Sequence, residues 1–144
     1  MVTLRVERTI TASPDRVFDW LADPDSLNSA PLVLTAGWAK DSCAPGIGAV
    51  RQVLATGMWF REEITDYRAP QSYSYRIVRS FPAFDHQGGT LTFTPTGGGT
   101  HVEWVSTYTH PVYAGGAAMV AISARLLPWN FRAVLAGCAK ALGG

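Results

Sequence analysis

The first ten residues alternate. Val2, Leu4, Val6 and Ile10 share one parity, while Thr3, Arg5, Glu7 and Thr9 share the other, and a period of two marks a half-buried strand. Arg8 falls on the apolar parity. The period then lengthens. In "ASPDRVFDWLADP", Val17, Phe18 and Leu21 form a helical stripe, with Ser13 placed to cap, Pro14 at the first helical position and Asp15 in the first turn. Asp23 and Pro24 close this helix, and "DSLNSA" predicts a short second helix or turn.

From Leu32 the alternation returns and runs through six segments: "LVLTAGWAK", "AVRQVLAT", "WFREEITDYR", "SYSYRIVRS", "TLTFTPT" and "THVEWVSTYTH". Turn chemistry such as "APGIG", "APQ" and "GGG" separates them. The short connections predict an antiparallel meander, because parallel neighbours need long crossovers. The stretch from Phe81 to Gly89 reads as the longest loop, with two phenylalanines placed to cover an opening. From about Tyr113 to Leu142, Val120, Ala124, Leu127, Phe131, Leu135 and Cys138 recur at helical spacing, with Arg125, Arg132 and Lys140 on a polar stripe. Pro128 removes one hydrogen bond of this long helix and predicts a kink near "LLPWN".

Composition adds one fact to this pattern. The 144 residues suit one domain, 1–144, and 47% of them are hydrophobic against 16% charged, where soluble domains carry roughly 25% charged residues. Such an excess predicts a large core or an apolar cavity. Twelve basic and eleven acidic side chains leave a net charge of +1 with no basic cluster, so no nucleic-acid partner is expected. "MVTLRVERTI" lacks the apolar run of a secretory signal, and a cytoplasmic location is expected. The longest apolar segment, "AGGAAMVAISARLL", is too short for a membrane span and carries Arg125. Cys43 and Cys138 form no CxxC and read as reduced thiols. His86, His101 and His110 fall in no ligand-spaced pattern, so neither a metal nor another cofactor is expected.

The order of strand, two short helices, six-strand meander and long final helix is that of a helix-grip fold, an α+β arrangement in which a curved antiparallel sheet of about seven strands wraps the last helix. The chain resembles the START-like, or birch-pollen-allergen-like (SRPBCC), superfamily, and within it the bacterial polyketide cyclase/dehydrase group. The resemblance rests on "VERTITASPDRVFDWLADPDSL", "PGIG", "EEITDYRAPQSYSYR" and "GGTLTFTPTGGGTHVEW", which together span nearly the whole chain. It implies a cavity between sheet and helix that takes a small hydrophobic, aromatic, polyketide-like or lipid-like molecule. Only Gly46 and Gly48 stand where plant members carry a longer glycine-rich loop, and "PGIG" reads as a turn.

Candidate chemistry centres on "GMWFREEITDY". One parity holds Trp59, Arg61, Glu63 and Tyr67 and the other Phe60, Glu62, Ile64 and Asp66, and both contain large apolar bodies, so alternation leaves the inward face open. A carboxylate in an apolar pocket has its ionised form disfavoured and can exchange protons with a substrate. Glu62 and Glu63 are therefore candidate catalytic groups, with Arg61 as an oxyanion partner and Tyr75 assisting. An ion pair of an inward Arg8 with Glu62 or Asp66 is a structural alternative. Trp38, Trp59, Tyr73, Phe93, Trp104, Tyr108 and Met119 are candidate ligand contacts. Ser106 and Ser123 have no base partner visible in the sequence. Three functions follow: a binder of a small hydrophobic molecule, a cofactor-independent cyclase or dehydrase working by acid-base catalysis, and a non-enzymatic regulatory or interaction protein. Assembly as a homodimer is left open.

Overall fold

The computed structural model describes residues 2–42, 45–81, 85–110 and 115–143. Strand β1 (Val2–Ile10) leads into helix α1 (Pro14–Ala22) and a 3₁₀ turn (Pro24–Ser29), followed by β2 (Val33–Trp38), β3 (Val50–Ala55), β4 (Met58–Arg68), β5 (Ser72–Phe81), β6 (Asp85–Thr96) and β7 (Gly99–Thr109). Helix α2 (Gly116–Ala141) ends the chain. The seven strands form one antiparallel sheet in the order β1-β7-β6-β5-β4-β3-β2. Neighbours in sequence are neighbours in space except at β1, whose register with β7 runs from Val2↔Tyr108 to Ile10↔Thr100. The two helical turns after β1 thus carry the chain from one sheet edge to the other. The sheet curls as a half-barrel around α2, the helix-grip architecture.

Alternation fixes which side chains face inward. Along β7, Val102, Trp104, Ser106 and Tyr108 are buried, and on β5 Tyr73 and Tyr75 are. At one end of the concave face Phe18 of α1 meets Tyr67, Tyr73 and Phe93 edge-on, with centroid separations of 5.2, 5.7 and 5.2 Å. Val134, Leu135, Cys138 and Ala139 of α2 complete this core, each large apolar side chain stabilising the fold by about 1.5–3 kcal/mol on burial. The first half of α2 is packed differently, with Ile122, Leu126 and Trp129 exposed. No helix among the described residues is long and apolar enough to cross a membrane.

Several expectations change. The segment before Gly89 is strand from Asp85 onward, held by the pairs Asp85↔Thr109 and His86↔Tyr108. Phe81 ends β5 with 76% of its surface exposed, and Phe84 lies outside the described residues. Helix α2 is one long element with Pro128 inside it, as the helical spacing predicts, while Tyr113 and Cys43 lie outside the described residues. Arg8 is exposed and pairs with neither Glu62 nor Asp66. Asp66 instead contacts Arg68 at 3.1 Å, and Glu62 contacts Arg51.

Candidate functional site

Beneath the first half of α2 the concave face encloses a cavity of about 300 Å³. Apolar side chains supply most of its lining, among them Val53, Phe60, Leu127 and Phe131, and polar groups enter it from β4 to β7 and, through Ser123 and Asn130, from α2. Glu62 faces this cavity on the Phe60 and Ile64 parity. Directly across the β3–β4 ladder stands Arg51, whose Nη2 lies 2.7 Å from Glu62 Oε1. Both are almost wholly buried, and the guanidinium carbon lies 5.5 and 5.6 Å from the ring centres of Tyr73 and Tyr75. Glu62 Oε1 has no hydrogen-bond partner despite the short ionic contact. Burial pushes the Glu62 carboxyl above the usual carboxylate range, and Arg51 offsets only part of that shift.

Gly89 explains the reach of Tyr75. The two residues are paired across β5 and β6, and a Cβ on Gly89 would overlap the phenol. The ring therefore lies flat over β6 and brings its hydroxyl to β7, where Trp104 Nε1 donates to it at 2.9 Å. His86 stacks on the same ring at 5.4 Å and 17°. Its Nδ1 accepts from the Ile77 N–H at 3.0 Å and its Nε2 lies 2.9 Å from Ser106 Oγ. Burial, with a contribution from the Arg76 charge, lowers the His86 pKa to about 4, so the ring is neutral near pH 7. Burial also raises the Tyr75 pKa.

A second polar cluster sits under α2. Ser123 Oγ lies 2.8 Å from the Tyr108 hydroxyl and 2.9 Å from His110 Nε2, and burial lowers the His110 pKa. Both serines thus meet a histidine that sequence reasoning had not paired with them. At Ser106 the histidine is the wrong tautomer for a general base. A ring nitrogen that accepts a backbone N–H carries no proton, so the proton is on Nε2 and points at the serine oxygen.

The structure brings together Glu62, Tyr75, Trp104, Tyr108 and Met119 around the cavity. It separates the other candidates from it. Arg61, Glu63 and Trp59 occupy the outer parity of β4: Arg61 binds Asp41 at 2.9 Å and Arg79 covers the Trp59 ring at 5.7 Å. Tyr73 and Phe93 belong to the core beneath α1, the Tyr73 hydroxyl donating to the Leu21 carbonyl at 3.1 Å. Trp38 ends β2 half-exposed and does not line the cavity. Arg51, His86, Ser106, His110 and Ser123 are the groups that sequence reasoning missed or left unassigned. Among the described residues no cluster of three or more His, Cys, Asp or Glu could hold a metal ion. Cys138 is buried in the core, where burial pushes its thiol up to about 12.

Comparison with solved structures places the fold. TTHA0849 from Thermus thermophilus superposes with a TM-score of 0.77 at 23% identity, over 96% of this chain and 95% of that one. The di-domain ARO/CYC StfQ from the steffimycin biosynthetic pathway gives 0.80 at 17% identity, over 99% of this chain and 50% of its own length. Ara h 8.0201 gives 0.70 at 15% identity, over 96% of this chain and 98% of its own. At these identities the likeness shows the fold alone. A search of curated protein sequences returned no match. The sequence profile of one family matches residues 1–143, and the chain belongs to that family, described as polyketide cyclase/dehydrase and lipid transport.

Proposed function

We propose that the protein binds a small, largely apolar aromatic molecule in the cavity under α2. One observation carries this reading: a largely apolar cavity of about 300 Å³ with a few polar groups set into its strand wall and into α2. That volume is at the lower end of small-molecule sites and suits one or two fused rings better than a long acyl chain. The stacked pair Trp104 and Phe131, 4.1 Å apart and nearly parallel, gives a flat apolar surface against which such rings can pack.

Native mass spectrometry with naphthalene derivatives tests the reading. A 1:1 complex is expected, and it is lost in a folded Leu127→Trp variant that fills the cavity. Equal binding by the filled variant would place the ligand elsewhere.

A second reading, an acid-base catalyst of the cyclase or dehydrase kind, is favoured by Glu62. It is a cavity-facing carboxyl whose pKa burial raises against the pull of Arg51, a shift towards the range in which a carboxyl can both give and take protons. Tyr75 would then face the oxygen on which negative charge develops. In this reading Glu62→Gln retains ligand binding and loses turnover of an enolisable polyketone, and unchanged turnover removes Glu62 from the chemistry.

A further inference from the structure

Ser106 and Ser123 both line the cavity, and each lies beside a histidine. The two histidines differ in what they can do. His86 accepts the Ile77 N–H at Nδ1, so its Nε2 carries the proton and donates to Ser106 Oγ, and this ring cannot take the proton of that serine. Under α2, Tyr108 and His110 are two residues apart, both line the cavity, and their rings meet edge to face with centroids 5.3 Å apart. Ser123 reaches both from the first half of α2, its Oγ 2.8 Å from the Tyr108 hydroxyl and 2.9 Å from His110 Nε2. Its remaining contact, to the Val120 carbonyl, is long at 3.4 Å. Of the three groups the phenol is the strongest acid and a neutral imidazole nitrogen the best acceptor. The order from Tyr108 through Ser123 to His110 therefore points each proton at the better acceptor, and burial favours the neutral His110 ring by lowering its pKa.

The geometry points to a nucleophilic site: Ser123, with His110 as its base, hydrolyses small aryl esters in the cavity through an acyl-serine intermediate. Ser123 Oγ attacks the ester carbonyl carbon and passes its proton to His110 Nε2. The carbonyl oxygen takes up the negative charge, and the Tyr108 hydroxyl turns its donation from Oγ to that oxygen. Collapse breaks the bond to the aryl oxygen, which leaves as the phenol with the proton from His110. Water, giving a proton to the same nitrogen, then attacks the acyl carbon; the carboxylic acid departs as the proton returns to Ser123 Oγ. A single hydroxyl donor stabilises an oxyanion less than a pair of backbone N–H groups, so a phenol ester, with its good leaving group, fits this site better than an amide. Met119 and Leu127, one turn to either side of Ser123, give the acyl and aryl groups apolar walls. The reaction rests on the cavity admitting small molecules, as proposed above, and adds a covalent step to that reading.

Diisopropyl fluorophosphate and 2-naphthyl acetate test the site. Attack of Ser123 Oγ on phosphorus forms the P–O bond and expels fluoride, with the serine proton taken by His110. The added diisopropylphosphoryl group is read by intact-mass spectrometry and placed by peptide mapping. Wild type is expected to carry the group on Ser123 and to release 2-naphthol from the ester, followed by its fluorescence. Ser123→Ala is expected to lose both. His110→Gln is expected to lower kcat about a hundredfold or more with KM within about threefold, a split that a packing role would not give. Tyr108→Phe is expected to lower kcat by about a hundredfold, as loss of one oxyanion donor does. Should His110→Gln fail to fold, Ser123→Ala, a small change to a good helix former, still decides the nucleophile.

Wild type that binds naphthalene, read by quenching of tryptophan fluorescence, but takes no label and releases no 2-naphthol overturns the nucleophile while leaving the cavity a ligand site. A label on another residue, Ser106 included, or turnover that persists in Ser123→Ala, overturns the assignment to Ser123. Equal kcat in wild type and His110→Gln removes the histidine as base. If wild type neither binds naphthalene nor takes the label, the ligand site and the reaction fall together.

Discussion

Arg51 and Glu62 face each other across the β3–β4 ladder, 2.7 Å apart and 2% and 4% exposed. The guanidinium stays charged at any pH the protein survives, whereas burial already favours the neutral form of the carboxyl. Removing one partner is therefore asymmetric. Glu62→Leu leaves a buried cation that cannot neutralise, and is expected to cost about 3–5 kcal/mol in urea denaturation. Arg51→Met leaves a carboxyl that can take up a proton, and is expected to cost less. The double variant should recover much of the loss, and a non-zero coupling in the cycle checks the pair.

Gly89→Ala is expected to cost about 1–3 kcal/mol, because the new methyl group meets a phenol held in place by Trp104. The mechanism predicts a specific rescue. In a Tyr75→Ala background the same substitution should be nearly silent, and additive costs in the two backgrounds would assign the glycine another role.

Acid should weaken the fold through His86. Its pKa is lowered from 6.5 to about 4 by burial and by Arg76, so the unfolded chain binds the proton more readily. The stabilisation is complete above about pH 6.5 and is lost as pH falls through about 4, a loss of about 3 kcal/mol. Denaturation midpoints at pH 7.5, 5.5 and 4.5 should fall more steeply for wild type than for His86→Gln. Parallel slopes would remove His86 as the titrating group.

Arg61→Ala and Glu63→Gln should leave ligand affinity unchanged within a factor of two. Both side chains lie on the outer face of β4, and Arg61 is occupied by the exposed Asp41 carboxylate. A large loss of affinity in either, measured by fluorescence titration, would mean that the outer face reports on the cavity.

The architecture was legible because the apolar period switches cleanly between two and helical spacing, and because β7 keeps a regular alternation. Its inward residues Trp104 and Tyr108 could be named from parity alone, as could Tyr75 on β5. On β4 parity failed for a physical reason. Register shifts between Arg61 and Glu62 and between Ile64 and Asp66 break the ladder with β5, and aromatic bodies on both faces remove the contrast that parity needs. Arg51 left only a faint trace, a charge on the parity of Val53. His86 was hidden because "HQGG" reads as loop, and what makes it strand is pairing with β7 some twenty residues on. Contacts of that kind join distant stretches of chain and have no local period.

The hollow beneath α2 means that an occupant would supply part of the packing the chain itself does not complete. A molecule that binds only the folded state contributes RT ln(1 + [L]/Kd), about 2.7 kcal/mol at a hundredfold excess over Kd, comparable to the burial of one large core side chain. The melting temperature of this protein is then a property of the solution as much as of the sequence, and a scan across compounds would read ligand chemistry as degrees.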